Sequence, residues 1–418
     1  MARSMTVSQA SSPAPSRVWE IDGLRAVAAW SIVVFHVWVF TSPAELQWNL
    51  GPLTAFVSPL QSGVTLFFVL SGFLLYRPIA AALLDGERAP DTFAYLRNRA
   101  LRILPAYWVI LAIAAFVLRS ASLGVSGSGV LGGALTDTKT FVLDVLLLQT
   151  YVPHAIWTGI LPAWSLTIEV AFYLLLPLLG LAAMRFAARS SRRVGAAAGP
   201  VLAMLVLGGA GKIMVSLLHG GTGRSTATGW GGVLDRSLVT HADLFGFGMG
   251  AALLLLCWER GLGNGLKVIV RENLSRPLAY VGLPTIFLGY YFLPAYVYNA
   301  AVAFLVATVL LRLLAPREAA DMSVPPARTF LAHPWTIGAG RRSYSVFLWN
   351  YPLLTFLSAH HLLASGHGAA AFGANFAIAV PLIAALSALT YKFVEVPALR
   401  LKRRRADAAA APAIVPAN

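Results

Sequence analysis

Residues 140–152, TFVLDVLLLQTYV, decide the architecture, because every later segment changes sides if they cross a membrane and keeps its side if they do not. The run is apolar but only 13 residues long, contains Asp144 and Gln149, and stops at Pro153. As a helix rising ~1.5 Å per residue it reaches ~20 Å, short of the ~30 Å of hydrocarbon that a span must cover. Ten longer apolar stretches surround it, at about 20–41, 61–84, 103–119, 163–184, 199–218, 241–258, 277–297, 298–315, 343–363 and 373–396. If residues 140–152 stay on one side, the segments 1–17, 85–102, 185–198, 259–276, 312–342 and 397–418 share a side and hold 24 of the 32 Lys and Arg. The opposite side keeps Arg119, Lys139, Arg224 and Arg236. If the run crosses, that asymmetry largely cancels. Cytoplasmic loops collect Lys and Arg, so the run is read as a re-entrant or interfacial helix. The fold is then all-α and integral to the membrane, with about ten transmembrane helices and both termini cytoplasmic.

Composition agrees. Of 418 residues, 58% are hydrophobic and 12% charged, with a mean hydropathy of +0.71, whereas soluble domains run near a quarter charged. A net charge of +15 would suggest nucleic acid in a soluble protein. Here it is a topology signal, and the expected partners are membrane lipids and not nucleic acid. Residues 1–18 read as a disordered cytoplasmic tail, 19–397 as one transmembrane domain and 398–418 as a basic, lipid-facing tail. The outer loops 120–138 and 219–240 are rich in Gly, Ser and Thr. The single cysteine, Cys257, lies in an apolar run and excludes an internal disulfide framework. His360, His361 and His367 lack an acidic partner at zinc spacing, so no metal site is expected. The glycines 246, 248 and 250 read as a helix-packing face.

Ionisable residues inside spans are costly and mark function. The first span begins EIDGLRAVAAWSIVVFH (20–36), which places Arg25 and His36 eleven residues apart on one helix face, ~16 Å along the axis. Asp22 can pair with Arg25, and without function these would be an interfacial anchor and a packed histidine. In PAWSLTIEVAFY (162–173), Ser165, Glu169 and Tyr173 recur every four residues as a polar stripe. Glu169 falls at the depth of His36, where the two can meet. A carboxylate beside an imidazole fixes its tautomer and favours the protonated form, as a general base requires. In YLRNRALRILPAYW (95–108), Arg97, Arg99 and Arg102 crowd a cytoplasmic mouth. Their guanidinium forks suit phosphates, though lipid headgroups would serve equally.

Together these motifs, with FFVLSGF (67–73), SYSVFLWNYP (343–352) and Glu395-Val-Pro397, resemble the membrane-bound acyltransferase 3 family from Glu20 to Pro397. The resemblance implies transfer of an acyl group from acyl-CoA to a hydroxyl of a carbohydrate, glycolipid or glycosylated macrolide. It implies no bound cofactor; acyl-CoA, acetyl-CoA included, is the donor substrate. It maps the family's Arg and His onto Arg25 and His36, its CoA-binding arginine pair onto Arg99 and Arg102, and its acid onto Glu169. In that reading His36 is the base, Glu169 orients it, and Ser165 is the nearest nucleophile for a covalent route. Asp22, Ser71, Trp164, Ser165, Tyr173, Tyr344, Trp349 and Asn350 face substrate. Asn350 stands where the family often has His, Val396 where a basic residue is common, and Ala26 where Gly is common. The high Ala, Gly and Arg content points to a GC-rich bacterium and so to its cell membrane. The competing class is a multi-span exporter of a hydrophobic metabolite, against which stand the absence of an inverted repeat and the basic cluster at one mouth.

Overall fold

The computed structural model describes residues 19–41, 51–126, 129–190, 192–218, 229–263, 275–315, 326–366 and 368–401. The two tails apart from 398–401, His367 and much of loop 219–240 lie outside them. The described chain is helical apart from one three-stranded sheet. Its long helices are α1 (Trp19–Thr41), α2 (Gly63–Asp85), α3 (Thr92–Ala112), α5 (Trp164–Arg189), α6 (Arg193–Leu218), α7 (Leu238–Glu259), α8 (Ser275–Phe292), α9 (Ala295–Leu314), α11 (Ser343–Ala359) and α12 (Ala369–Thr390), with the shorter α4 (Thr138–Val145) and α10 (Pro334–Arg341) between them. Among the described residues eight helices are long and apolar enough to cross a membrane. The two other expected spans are α8, with 18 residues, and α11, with 17. An all-α, multi-pass membrane protein is therefore what the chain forms.

Residues 140–152 do not make a crossing helix. Helix α4 has 8 residues, starts on Asp137, whose carboxylate accepts the Thr140 amide at 2.8 Å, and ends before a 3-10 turn at Gln149–Tyr151. The Gly-, Ser- and Thr-rich loop before it forms a hairpin of β1 (Ala121–Ser126) and β2 (Gly129–Gly133), with β3 (Thr158–Gly159) antiparallel on the other edge of β1. Gly159 has φ +75° and a Cβ there would strike the Asp144 carboxylate, so this residue must be Gly. The cap is tied to α3 by Tyr107 Oη donating to the Asp144 carbonyl at 2.6 Å and Trp108 Nε1 to the Val145 carbonyl at 2.9 Å.

Burial pushes the Asp144 carboxyl up to about 7, against a single neutral donor, Thr158 Oγ1 at 3.3 Å. Its folded value lies above the unfolded one near ~3.9. Between the two the folded state holds a proton that the unfolded chain has lost, so stability falls as pH rises from about 4 to about 7. We expect the melting temperature of detergent-solubilised Asp144→Asn to fall less than the wild type's between pH 5 and pH 8. Parallel curves would show that Asp144 does not titrate in that window.

Small residues hold the centre together. A Cβ on Gly72 would meet the Phe245 carbonyl and one on Gly248 the Val69 carbonyl, so α2 and α7 touch backbone to backbone. Gly208 and Gly211 of α6 sit equally close to Asp243 and Val239 on the other side of α7. Of the predicted glycine face, Gly248 makes the closest of these approaches. Such contacts replace the hydrophobic drive that lipid removes. Lys212 and Asp243 form an ion pair across the α6–α7 seam.

One boundary differs from expectation in a way that matters for the site. The third span begins at Thr92, about eleven residues early, because the Asp91 side chain caps it by accepting from the Phe93 amide at 2.9 Å and the Ala94 amide at 3.4 Å. Arg97, Arg99 and Arg102 are therefore held on a helix and not in a loop. At the same end of the bundle, helix α10 closes against α1, where Gly340 meets the Asp22 carbonyl.

Candidate active site: three cavities in series

The polar residues of α1 face a run of cavities along the bundle. At the end that carries Asp22 and Arg25, a vestibule of about 400 Å³ is lined by those two residues with Arg102, Arg341 and Arg400. Arg25 and Arg102 also line the next space, a narrow chamber of about 80 Å³ that contains Ser71, Arg99, Ser165, Glu169, Tyr173 and Tyr344. Val64, Phe68 and Phe347 line this chamber and also a third cavity of about 200 Å³, which contains His36, Gln61, Trp157, Trp164, His241 and Asn299. Three aromatic or branched side chains thus form the constriction between the basic half and the half that holds the histidines.

The expected His36–Glu169 pair is not formed. Glu169 belongs to the chamber, where its Oε1 accepts from Ser71 Oγ at 2.6 Å and Tyr173 Oη at 2.5 Å. The partner of His36 is Asn350, whose Oδ1 lies 2.5 Å from Nδ1. Equal depth on two helices did not fix the direction in which each side chain points, and α11 inserts Asn350 beside α1. This amide can be oriented in only one way. Its Nδ2 donates to the carbonyls of Val346 at 3.3 Å and Phe347 at 2.5 Å, so Oδ1 is the end that meets the imidazole. Since Oδ1 can only accept, Nδ1 carries the proton and Nε2 is the bare, basic nitrogen. Asn350 is fully buried and lines none of these cavities. It holds the His36 ring from behind the cavity wall, where the sequence reading expected it to face substrate.

Several other expectations also change. Trp349 is buried, with Nε1 donating to Thr390 Oγ1 at 2.8 Å, and lines none of these spaces, so it packs the core. Ser165 lines the chamber, and its hydroxyl donates to the Pro162 carbonyl at 3.0 Å, a helix-start contact. Tyr344 lines the chamber while its hydroxyl bonds the Ile103 carbonyl at 2.8 Å. Arg102 is not a free phosphate ligand, because Nη1 lies 3.4 Å from Glu395, a buried carboxylate that also accepts from Ser345 Oγ at 2.5 Å. Arg25 and Arg99 each keep a buried Nε with no acceptor among the described residues, and so does Arg341. Arg25 feels the charges of Arg102, Glu169 and Asp22. Trp164 lines the third cavity against Phe68 and His241. The sequence reading had Glu395 only within a family-like motif and Arg400 only in a lipid-facing tail, and it missed Arg341 at the basic end and Gln61, Trp157 and His241 at the other.

The family model described as an acyltransferase domain matches residues 18–392. The chain belongs to the acyltransferase 3 family. Among named relatives, this family member is similar to the acyltransferase MdmB of Streptomyces mycarofaciens, 31% identical over 169 residues, or 40% of each chain. It also resembles the exopolysaccharide production protein ExoZ of Rhizobium meliloti, 27% identical over 27% of this chain and 32% of the relative. A third is nodulation protein 10 of Rhizobium leguminosarum bv. viciae, 28% identical over 38% of this chain and 43% of the relative. The chain thus spans about a third to two fifths of the length of these relatives. No solved structure matches it.

Proposed function

We propose that the protein moves an acyl group from acyl-CoA to a hydroxyl of a glycoconjugate or macrolide-type acceptor. The observation that carries the reading is the anchored neutral imidazole of His36, with Nε2 free, at the far end of a cavity run that starts among four arginines. Guanidinium donors without acceptors among the described residues suit the phosphates of CoA. The pantetheine arm, long and thin, suits the narrow chamber, where Arg25, Arg99 and the Glu169 cluster offer polar partners. His36 Nε2 takes the acceptor's hydroxyl proton, the oxygen attacks the thioester carbonyl, and the carbon–sulfur bond breaks. The imidazolium then returns its proton to the departing thiolate. Asn350 holds Nδ1–H throughout, so His36 need not reorient between the two proton transfers.

In this reading the basic end is cytoplasmic, the chain crosses a bacterial plasma membrane ten times, and His36 lies toward the outer face. The distribution of Lys and Arg supports that orientation. In a Cys257→Ser background, a cysteine replacing Arg189 is expected to be protected from impermeant thiol reagents in intact cells, and one replacing Leu131 to react. Labelling at 189 from outside would reverse the topology. The activity itself is tested by thiol release from purified protein given acetyl-CoA and longer acyl-CoA thioesters. No binding or consumption of any of them would overturn the donor assignment.

A further inference from the structure

A further cavity, of about 460 Å³, lies between α2, α3 and α5 and takes no part in the transfer mechanism. It shares Leu74, Leu75 and Arg99 with the chamber and so flanks it on one side. Two of its walls are apolar, built from Pro78 and Ile79 of α2 and from Pro177, Leu178 and Leu181 of α5. Leu74, Leu178 and Leu181 are also exposed on the surface that lipid covers. The third wall, α3, is polar. Tyr95, Asn98 and Arg99 fall on one helix face, and Tyr95 Oη, Asn98 Oδ1 and Arg99 Nε are each buried with no partner among the described residues. Asp91 and Thr92, at the start of α3, line the cavity too. With the turn that follows it, α3 continues unbroken from Thr92 to Val117, 26 residues or ~39 Å. Hydrocarbon takes up ~30 Å of that length, and residues 103–117 carry no charge. The surplus, Thr92 to about Arg97, therefore stands among headgroups, with Asn98 and Arg99 at their inner edge, and the apolar walls continue from there into the hydrocarbon.

Water is a poor occupant of a space walled by leucine, isoleucine and proline. The transferred acyl chain does not belong there either. Its thioester must lie at His36, beyond Phe68, whereas Leu74 is six residues past Phe68 on α2, ~9 Å along the helix in the opposite direction. An occupant that fits brings an alkyl chain for the two apolar walls, an anionic acceptor for Arg99 Nε and hydrogen-bond donors for Asn98 Oδ1, with positive charge favoured by the Asp91 carboxylate. A fatty acid carboxylate brings no donor, and a choline headgroup has no N–H. We propose that this cavity binds one phospholipid with an ethanolamine headgroup, its phosphate on Arg99 and Tyr95, its ammonium toward Asn98 Oδ1 and one acyl chain between α2 and α5. A guanidinium carries five N–H groups, so Arg99 holds the lipid through Nε and still offers its terminal nitrogens to the chamber. The chain backs Leu74 and Leu75 and so closes the flank of the chamber toward the bilayer. This binding does not depend on the acyl-transfer reading.

The test is native mass spectrometry of delipidated, detergent-solubilised protein titrated with three probes. These are dioleoyl phosphatidylethanolamine, dioleoyl phosphatidylcholine, which replaces the N–H hydrogens by methyl groups, and glycerophosphoethanolamine, the headgroup without chains. The wild type is expected to take up one ethanolamine lipid at a concentration at least about tenfold lower than the choline lipid, the scale of one charge-assisted hydrogen bond. It should take up no chainless headgroup at those concentrations. Asn98→Leu should bring the two lipids to equal affinity without changing that of the choline lipid. Arg99→Ala should weaken both by about tenfold, and Ala94→Phe, which puts a ring into the cavity, should abolish the single tight site. The three wild-type titrations decide the matter even where a variant fails to fold. Equal affinity for the two lipids, uptake of many lipids without a tight first one, or equal binding of the chainless headgroup would each overturn the proposal, the last by showing a bare phosphate site. So would an unchanged affinity for the ethanolamine lipid in folded Arg99→Ala or Ala94→Phe.

Discussion

Transfer by His36→Ala is expected to fall by ~10²–10⁴ at matched protein levels, the usual cost of losing a general base. The substitution removes an imidazole whose tautomer is fixed by the buried Asn350 amide. Replacing Asn350 tests the same geometry without touching substrate. Asn350→Leu leaves Nδ1–H without an acceptor in the interior, which costs ~1–3 kcal/mol and frees the ring to turn. A loss in kcat of about ten- to hundredfold, with both KM values little changed, is expected. Asn350→Asp supplies an acceptor again and should restore much of the rate. Glu169→Gln should behave differently. Glu169 lies in the chamber with Ser71 and Tyr173, so its effect is expected chiefly in KM for acyl-CoA. Steady-state thiol release with acceptor and donor varied separately reads all four variants. Near-normal turnover by His36→Ala would remove it as the base.

Arg25→Ala and Arg341→Ala are expected to weaken acyl-CoA binding by roughly ten- to hundredfold each, from ~1.5–3 kcal/mol per charge-assisted hydrogen bond. Both line the vestibule and both have a buried Nε without an acceptor among the described residues. Free CoA should compete with acyl-CoA, because the phosphates and not the acyl chain supply this part of the affinity. Lys at either position keeps the charge but loses the fork and should recover only part of it. Arg102→Ala will cost more than binding, since it strands the buried Glu395 carboxylate. Combining it with Glu395→Gln removes that charge and isolates the effect on the donor. Titration calorimetry of acetyl-CoA and CoA against the purified variants decides the matter. Equal affinity in all of them would leave the arginines with lipid headgroups as their partners.

The membrane class followed from the sequence because hydropathy over a span and the sign bias of loops are additive properties of the chain. The thirteen residues 140–152 could be refused as a span on their length and on the charge bias of the loops around them, and α4 has 8 residues. Arg25 and His36 could be placed on one face because a helix fixes relative directions within itself, and Ser165, Glu169 and Tyr173 for the same reason. Partners on different helices were beyond that reasoning. His36 and Glu169 were expected together because their depths matched, but depth says nothing of the rotation of α1 against α5. The packing of α11 brought Asn350 to the imidazole, although from the sequence alone it stood out chiefly as a departure from a family pattern. Likewise Glu395 meets Arg102 from 293 residues away, and His241 and Trp157 reach the outer cavity from segments without a periodic signal. The sequence alone determined which side chains each helix carries and where along its axis they lie. Only the tertiary structure decided which of them face one another, because helix rotation is set by backbone contacts such as Gly72 on Phe245 and Gly248 on Val69, and these depend on both surfaces at once.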